Sequence, residues 1–178
     1  MNKNQIHERP TPDSYWVIPH KLAAGGYPRS RFLDEQTIII LNKLLGAGVM
    51  LFLDLTRPGE LVSYRDLLMK EAKRLGVEVE YRRVPIHDRH CPSKETMVDI
   101  LDTIDDTIQE GCGVYVHCWG GIGRTGTVVG CYLVRHGIAG QGALDTIARS
   151  RDGLPSGRLR SPETDEQCEM VLSWQAGL

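Results

Sequence analysis

Residues 114–134 constrain this chain more than any other stretch. Val114-Tyr115-Val116 is apolar, HCWGGIGRTG follows from His117 to Gly126, and a second apolar run extends from Val128 to Val134. An apolar run of strand length that enters a glycine-rich turn and then a helix is a building unit of layered α/β domains. The rest of the sequence repeats this alternation. VMLFLDL at 49–55 is nearly continuous in apolar residues, as in a strand covered on both faces. Strands are predicted at 15–18, 22–24, 49–55, 78–84 and 113–116. Helices are predicted at 32–45, 61–75, 94–109, from the glycine loop to 136, at 140–150 and at 162–175. Ser93 is the expected N-cap of the 94–109 helix, whose apolar stripe is Met97, Ile100, Leu101, Ile104 and Ile108. The expected fold is α/β, a central, mostly parallel twisted sheet with helices on both faces. Residues 1–13 read as a polar N-terminal tail and 14–178 as a single domain.

Composition narrows the function classes. A net charge of −2 with 25% charged residues gives no global reason to expect nucleic-acid or membrane binding. No apolar run approaches the ~20 residues of a membrane span. The first residues lack the apolar core of a signal peptide, so a cytoplasmic protein is expected. The five cysteines, at 91, 112, 118, 131 and 168, are odd in number and scattered, which is no disulfide framework.

Three readings compete for the glycine loop. Gly121, Gly123 and Gly126 satisfy the dinucleotide pattern G-x-G-x-x-G, but no second strand ending in an acid follows the helix. Gly121 and Gly126 have the spacing of a nucleoside-triphosphate loop, yet Thr127 and Val128 stand where Lys and Ser/Thr should be. The third reading uses every polar residue. Backbone N–H groups of the loop and the helix dipole make an anion cradle, and Arg124 can clamp two phosphate oxygens with its fork. The same field favours a thiolate at Cys118, a nucleophile for in-line displacement at phosphorus. Thr125 offers a hydroxyl toward the sulfur.

HCWGGIGRTG resembles the signature of the protein tyrosine phosphatase superfamily: His-Cys, five residues, Arg, Ser/Thr, Gly. The surroundings resemble small dual-specificity-type members, and the likeness runs from about Trp16 to Trp174. LAAGGYP is similar to the family's opening strand and turn, VPIHD to the loop that delivers the general acid, and SPETDEQ to the late loop that positions water. The resemblance implies Cys118 as nucleophile and Arg124 as phosphate clamp. It implies a substrate cradle of Trp119, Gly120, Gly121, Ile122, Gly123 and Arg124. It also implies Asp88 as acid and base, His117 as a brace of the loop and Gln167 as the water-positioning group. Glu163 stands where tyrosine-specific members carry a second glutamine, and it is expected to point away from a phosphorylated cysteine. Asp54, at the end of the 49–55 strand, is the rival for Asp88, although a strand-end Asp often only caps a turn.

The implied function is hydrolysis of phosphotyrosine, with phosphoserine and phosphothreonine also accepted, on a phosphorylated protein or peptide partner. No cofactor or metal is expected. His87, His90 and Cys91 lie close together, but no second ligand cluster with zinc-like spacing follows. Arg149, Arg151, Arg158 and Arg160 form a basic run, read either as solvated surface or as a patch at the pocket mouth. Other classes stay open: a phosphoinositide or small-molecule phosphatase, a non-catalytic phosphate-binding module, or a sulfur-transfer enzyme with a cysteine loop.

Overall fold

Val49–Asp54 (β3) and Gly113–His117 (β5) run parallel at the centre of the sheet, because both are apolar along their length and can be covered on either side. In this computed structural model, which describes residues 9–178, the strand order is β1-β2-β5-β3-β4, with Ser14–Ile18 as β1, Leu22–Gly25 as β2 and Glu80–Arg83 as β4. Only the β1–β2 pair is antiparallel, so the expected α/β architecture with a mostly parallel sheet is the one observed.

Helices cover both faces. Asp34–Gly46 (α1) and Arg65–Leu75 (α2) pack on one side, where Leu41, Leu44 and Leu68 meet Phe52 and Tyr115. Lys94–Gln109 (α3), Gly123–Arg135 (α4), Gly140–Ser150 (α5) and Asp165–Ser173 (α6) lie on the other, over Leu51, Leu53, Val114 and Val116. The alternation of the β5 side chains sends Tyr115 to the first face and Val114 and Val116 to the second. Residues 123–134 of α4 are all buried, which accounts for the long apolar run after the glycine loop. Gly130 lets α6 approach: a Cβ there would lie 2.4 Å from Val171 Cγ2.

Element edges depart from the sequence reading where loop residues have other work. Ser93 caps α3 by accepting from Thr96 N, as expected, an interaction of a kind worth about 1 kcal/mol. The helix expected at 61–75 begins only at Arg65, because Glu60 turns back toward α4 and Tyr64 is buried under the sheet end. The last helix begins at Asp165 rather than 162, since Thr164 forms a capping box with Gln167. Of the expected tail, residues 1–8 lie outside the described residues. Pro10 and Thr11 are buried against the body, and Asp13 O accepts from Gly26 N. Among the described residues no helix is long and apolar enough to cross a membrane.

The register aligns Gly25, His117 and Asp54 in one row at the carboxyl ends of β2, β5 and β3. The crevice beyond the carboxyl ends of such strands is where open α/β sheets place ligands.

Candidate active site

Cys118 is the first residue past β5 and is 3% exposed. It opens onto a cavity of about 170 Å³ lined by Asp88, Trp119, Gly120, Ile122, Gly123 and Glu163. The loop turns sharply here. Gly121 has φ +66°, and a Cβ on it would lie 2.4 Å from Gly25 C, so the loop rests backbone to backbone on the end of β2. Tyr27 N donates to Trp119 O at 2.8 Å and fixes the loop from the same side. The loop then enters α4, whose first turn leaves its N–H groups without acceptors inside the helix.

His117 braces this loop. Its Nδ1 faces Cys118 O at 3.3 Å and its Nε2 faces Tyr64 Oη at 2.6 Å. A carbonyl can only accept, so Nδ1 carries the hydrogen and the Tyr64 hydroxyl donates to Nε2. Burial pushes the His117 pKa down to about 4, which keeps the ring neutral in this role. Tyr64 is a partner that sequence reasoning did not single out.

Arg124 is 1% exposed and departs from the expected role in one respect. Its fork is engaged by Glu60, with Nη2 to Oε1 at 2.6 Å and Nη1 to Oε2 at 2.9 Å. The reason is physical: a guanidinium this deeply buried must be paired or hydrogen-bonded, and the two oxygens of Glu60 match its fork. Nη1 also donates to Ile86 O at 3.2 Å, and Nη2 contacts Asp88 Oδ1 at 3.0 Å. Arg124 Nε and Thr125 Oγ1 are buried without a hydrogen-bond partner. The contact expected between the Thr125 hydroxyl and the sulfur is therefore not made in this state. Hydrogen bonds from Arg124 hold the Glu60 carboxyl below its ordinary range. Glu60 was not among the residues inferred from sequence. An arginine read as buried signals the need for acceptors, but not whether one of the 23 acidic residues supplies them or which.

Asp88 and Asp54 are separated by the fold. Asp88 sits on the loop after β4, half-exposed and lining the Cys118 cavity. Asp54 is fully buried. Its Oδ1 accepts from Thr56 N and Oγ1, and its Oδ2 accepts from Tyr81 Oη at 2.5 Å and from Arg83. Burial opposes its ionisation, but hydrogen bonds from Tyr81 and Thr56 favour the carboxylate and the pKa is lowered. Asp54 thus holds strand ends and turn together, as a strand-end aspartate often does.

The late loop differs more. Glu163, expected to point away, lines the Cys118 cavity and pairs with Arg89 at 3.3 Å. Arg89 supplies the neutralising charge that the sequence argument had not considered. Gln167 is fully buried and its amide is committed: Oε1 accepts from Glu163 N and Thr164 N, and Nε2 donates to His90 O. It lies against the glycine loop, where a Cβ on Gly123 would meet its Oε1 at 2.9 Å.

The basic run does not gather at the pocket mouth. Arg151 is buried, donating to Leu159 O and to Ser156 O and Oγ, and so shapes the loop before α6. Arg158 and Arg160 line a separate cavity with Leu144 and Leu172, and Arg160 pairs with Asp165. His87 contacts Arg57, and His90 faces Glu166. Among the described residues no group of three or more His, Cys, Asp or Glu side chains is placed to hold a metal ion.

A cysteine and an arginine thus stand at the two ends of a glycine loop, with an aspartate reaching in from a second loop. The family described as "Polymorphic toxin system, DSP-PTPase phosphatase" matches residues 39–138. The chain belongs to this dual-specificity-type family of the protein tyrosine phosphatase superfamily. It is 32% identical over 128 residues to mouse protein tyrosine phosphatase domain-containing protein 1. That match covers 68% of this chain and 17% of the relative, so the chain spans about a sixth of the length of that protein. The solved structure of Tk-PTP in its active form aligns with a TM-score of 0.66 and 30% identity, covering 90% of this chain and 94% of that one. PTPMT1 in complex with PI(5)P shares the fold, with a TM-score of 0.68 and 18% identity over 89% of this chain and 92% of that one.

Proposed function

We propose that this chain, through a catalytic domain spanning residues 14–178, hydrolyses phosphate monoesters by way of a cysteinyl phosphate, with phosphotyrosine in a protein or peptide as the preferred substrate. The observation that carries this reading is the pair of buried donors left without partners at the head of α4, Arg124 Nε and Thr125 Oγ1, in the first turn after the Cys118 loop. Buried donors without acceptors are costly, at roughly 1–3 kcal/mol each, and an oxyanion in the loop would satisfy them.

In the first step the Cys118 thiolate attacks phosphorus, an S–P bond forms and the P–O ester bond breaks. Asp88 gives its proton to the departing oxygen, so tyrosine leaves as the neutral phenol. In the second step the Asp88 carboxylate takes a proton from water while the water oxygen bonds to phosphorus. The S–P bond breaks, inorganic phosphate leaves, and the thiolate and protonated Asp88 return. Arg124 and the loop N–H groups hold the charge on the equatorial oxygens throughout.

The substrate class rests on the loop. The residues between Cys118 and Arg124 carry no charge, which suits a single phosphate. Trp119, 47% exposed, and Ile122 supply an apolar wall for an aromatic ring. Trp119 and Gly120 also line a groove of about 530 Å³ with Tyr27, Arg29, Arg31 and Val62, wide enough for residues flanking the phosphorylated one. The phosphoinositide-bound neighbour supplies the second reading, a lipid or small-molecule phosphatase with the same chemistry. Specificity constants on phosphotyrosine peptides, phosphoserine and phosphothreonine peptides and phosphoinositides decide between them. The expected order is phosphotyrosine first, then the hydroxyl-amino-acid phosphates. A phosphoinositide preference would replace the substrate class and leave the Cys118 steps standing.

A further inference from the structure

We propose that Gln167, with Glu166 and Thr164, positions the general acid: the start of α6 is a strap that holds Asp88 over Cys118. This rests on the reading of Asp88 as acid. It assigns Gln167 a different task from the water placement implied by resemblance.

The acid loop makes few attachments of its own. Residues 88–90 are turn and bend, His87 to Cys91 are exposed or half-buried, and Arg89 adopts φ +66°, a conformation that a side-chain-bearing residue holds only when its surroundings enforce it. The start of α6 supplies that enforcement at three consecutive loop residues. Thr164 Oγ1 donates to Arg89 O at 3.3 Å, and Gln167 Nε2 donates to His90 O at 3.2 Å. Glu166 accepts from Cys91 N at 3.3 Å through Oε1 and faces His90 Nδ1 at 3.2 Å through Oε2. Arg89 Nη1 adds an ion pair to Glu163 at 3.3 Å. Asp88 immediately precedes these three residues and carries no such bond to α6; it reaches Arg124 instead.

Gln167 is the junction of this arrangement. The same buried amide accepts two N–H groups of the α6 cap, donates to the acid loop and packs against Gly123 of the glycine loop. With Oε1 taken twice and Nε2 donating to a carbonyl, little of the amide is left to orient water. What it fixes is the distance between the loop that bears the acid and the loop that bears the nucleophile. Positioning of this kind is kinetically large: a misplacement of ~1 Å can cost ~10²-fold.

The two roles separate kinetically. Phosphoryl transfer to Cys118 is seen in kcat/KM, and only a basic leaving group needs the acid. For Gln167→Ala and Glu166→Ala, kcat/KM on a phosphotyrosine peptide should fall by about 10-fold or more. On an aryl phosphate with a strongly acidic phenol it should stay within about 2-fold of wild type. Unchanged kcat/KM on both substrates would return Gln167 to water placement. Equal losses on both would show general damage to the site. Either result overturns the strap. Should Gln167→Ala fail to fold, Glu166→Ala decides alone, since Glu166 has a 55% exposed side chain, and a wild-type ratio of the two substrates in that variant sinks the proposal. Turnover by Cys118→Ser would instead sink the underlying mechanism, so the two failures are distinct.

Discussion

Asp88 Oδ1 lies 3.0 Å from Arg124 Nη2, the same nitrogen that meets Glu60 Oε1 at 2.6 Å. The carboxylate of this proposed acid therefore occupies ground that a phosphate oxygen would contest. Asp88→Asn removes the competing charge and the transferable proton together. Turnover of phosphotyrosine should fall by ~10²–10⁴-fold, the usual worth of a positioned acid. Vanadate or phosphate should bind roughly 2- to 5-fold tighter, since the lost pair is half-exposed and weak. Isothermal titration with the oxyanion checks the second effect, and weaker binding by the variant would contradict it.

Cys118→Ser should abolish turnover while leaving oxyanion affinity within a few-fold of wild type, because a serine hydroxyl is not ionised at neutral pH. Arg124→Lys should lose both. A point ammonium cannot meet Glu60 with two parallel bonds and still present a donor to the loop. Retained oxyanion binding by Arg124→Lys would show that the loop N–H groups suffice.

Stability should decline in two windows as pH falls. His117 has its pKa pushed down to about 4 by burial, whereas an unfolded histidine titrates near 6.5. Between those values the unfolded chain binds the proton and the folded one does not, so stability drops as pH falls from 6.5 toward 4. The drop is at most on the order of 3 kcal/mol. Glu60 works lower. Its folded pKa lies below the ordinary value near 4.5, so its contribution is complete above that value and is lost as pH falls through the depressed one. Urea midpoints measured from pH 7.5 to 3.5 should show the first slope in wild type and not in His117→Gln. Glu60→Gln should flatten only the acid end.

Mild peroxide should inactivate the enzyme, with phosphate protecting it, because the proposed nucleophile is a thiolate. Cys91 is a poor candidate to trap the oxidised sulfur. It lines two other cavities and not that of Cys118, and burial, with Glu166 beside it, raises its thiol to about 11. Intact-mass analysis after peroxide should show oxygen addition at Cys118 and no link between residues 91 and 118.

What the sequence disclosed was local in character. The apolar runs at 49–55 and 113–116 gave a parallel sheet with helices on both faces, because a doubly covered strand has a visible composition. Cys118, Arg124 and the loop between them sit within seven residues, so their grouping survives without coordinates. Glu60, Tyr64 and Arg89 were not visible. Each acts across 53 to 74 positions, on Arg124, His117 and Glu163 respectively, through partners that chain folding alone brings close. Gln167 was found by resemblance, but its task depended on which atoms its amide reaches, and that is a matter of the cap at Thr164.

The backbone seating of Gly121 on Gly25 carries a consequence for how this chain could change. The shape of the anion cradle is set where Gly121 has no room for a side chain and where Gly123 is filled by Gln167. Neither restriction applies to Trp119, Gly120 or Ile122: a Cβ at Gly120 would meet only the Ile122 side chain, at 3.4 Å. Under the proposed function, the geometry that holds the phosphate and the surface that meets the rest of the substrate are therefore encoded by different positions of one loop. Substitutions at 119, 120 and 122 should alter substrate contacts without moving the proposed reacting centre.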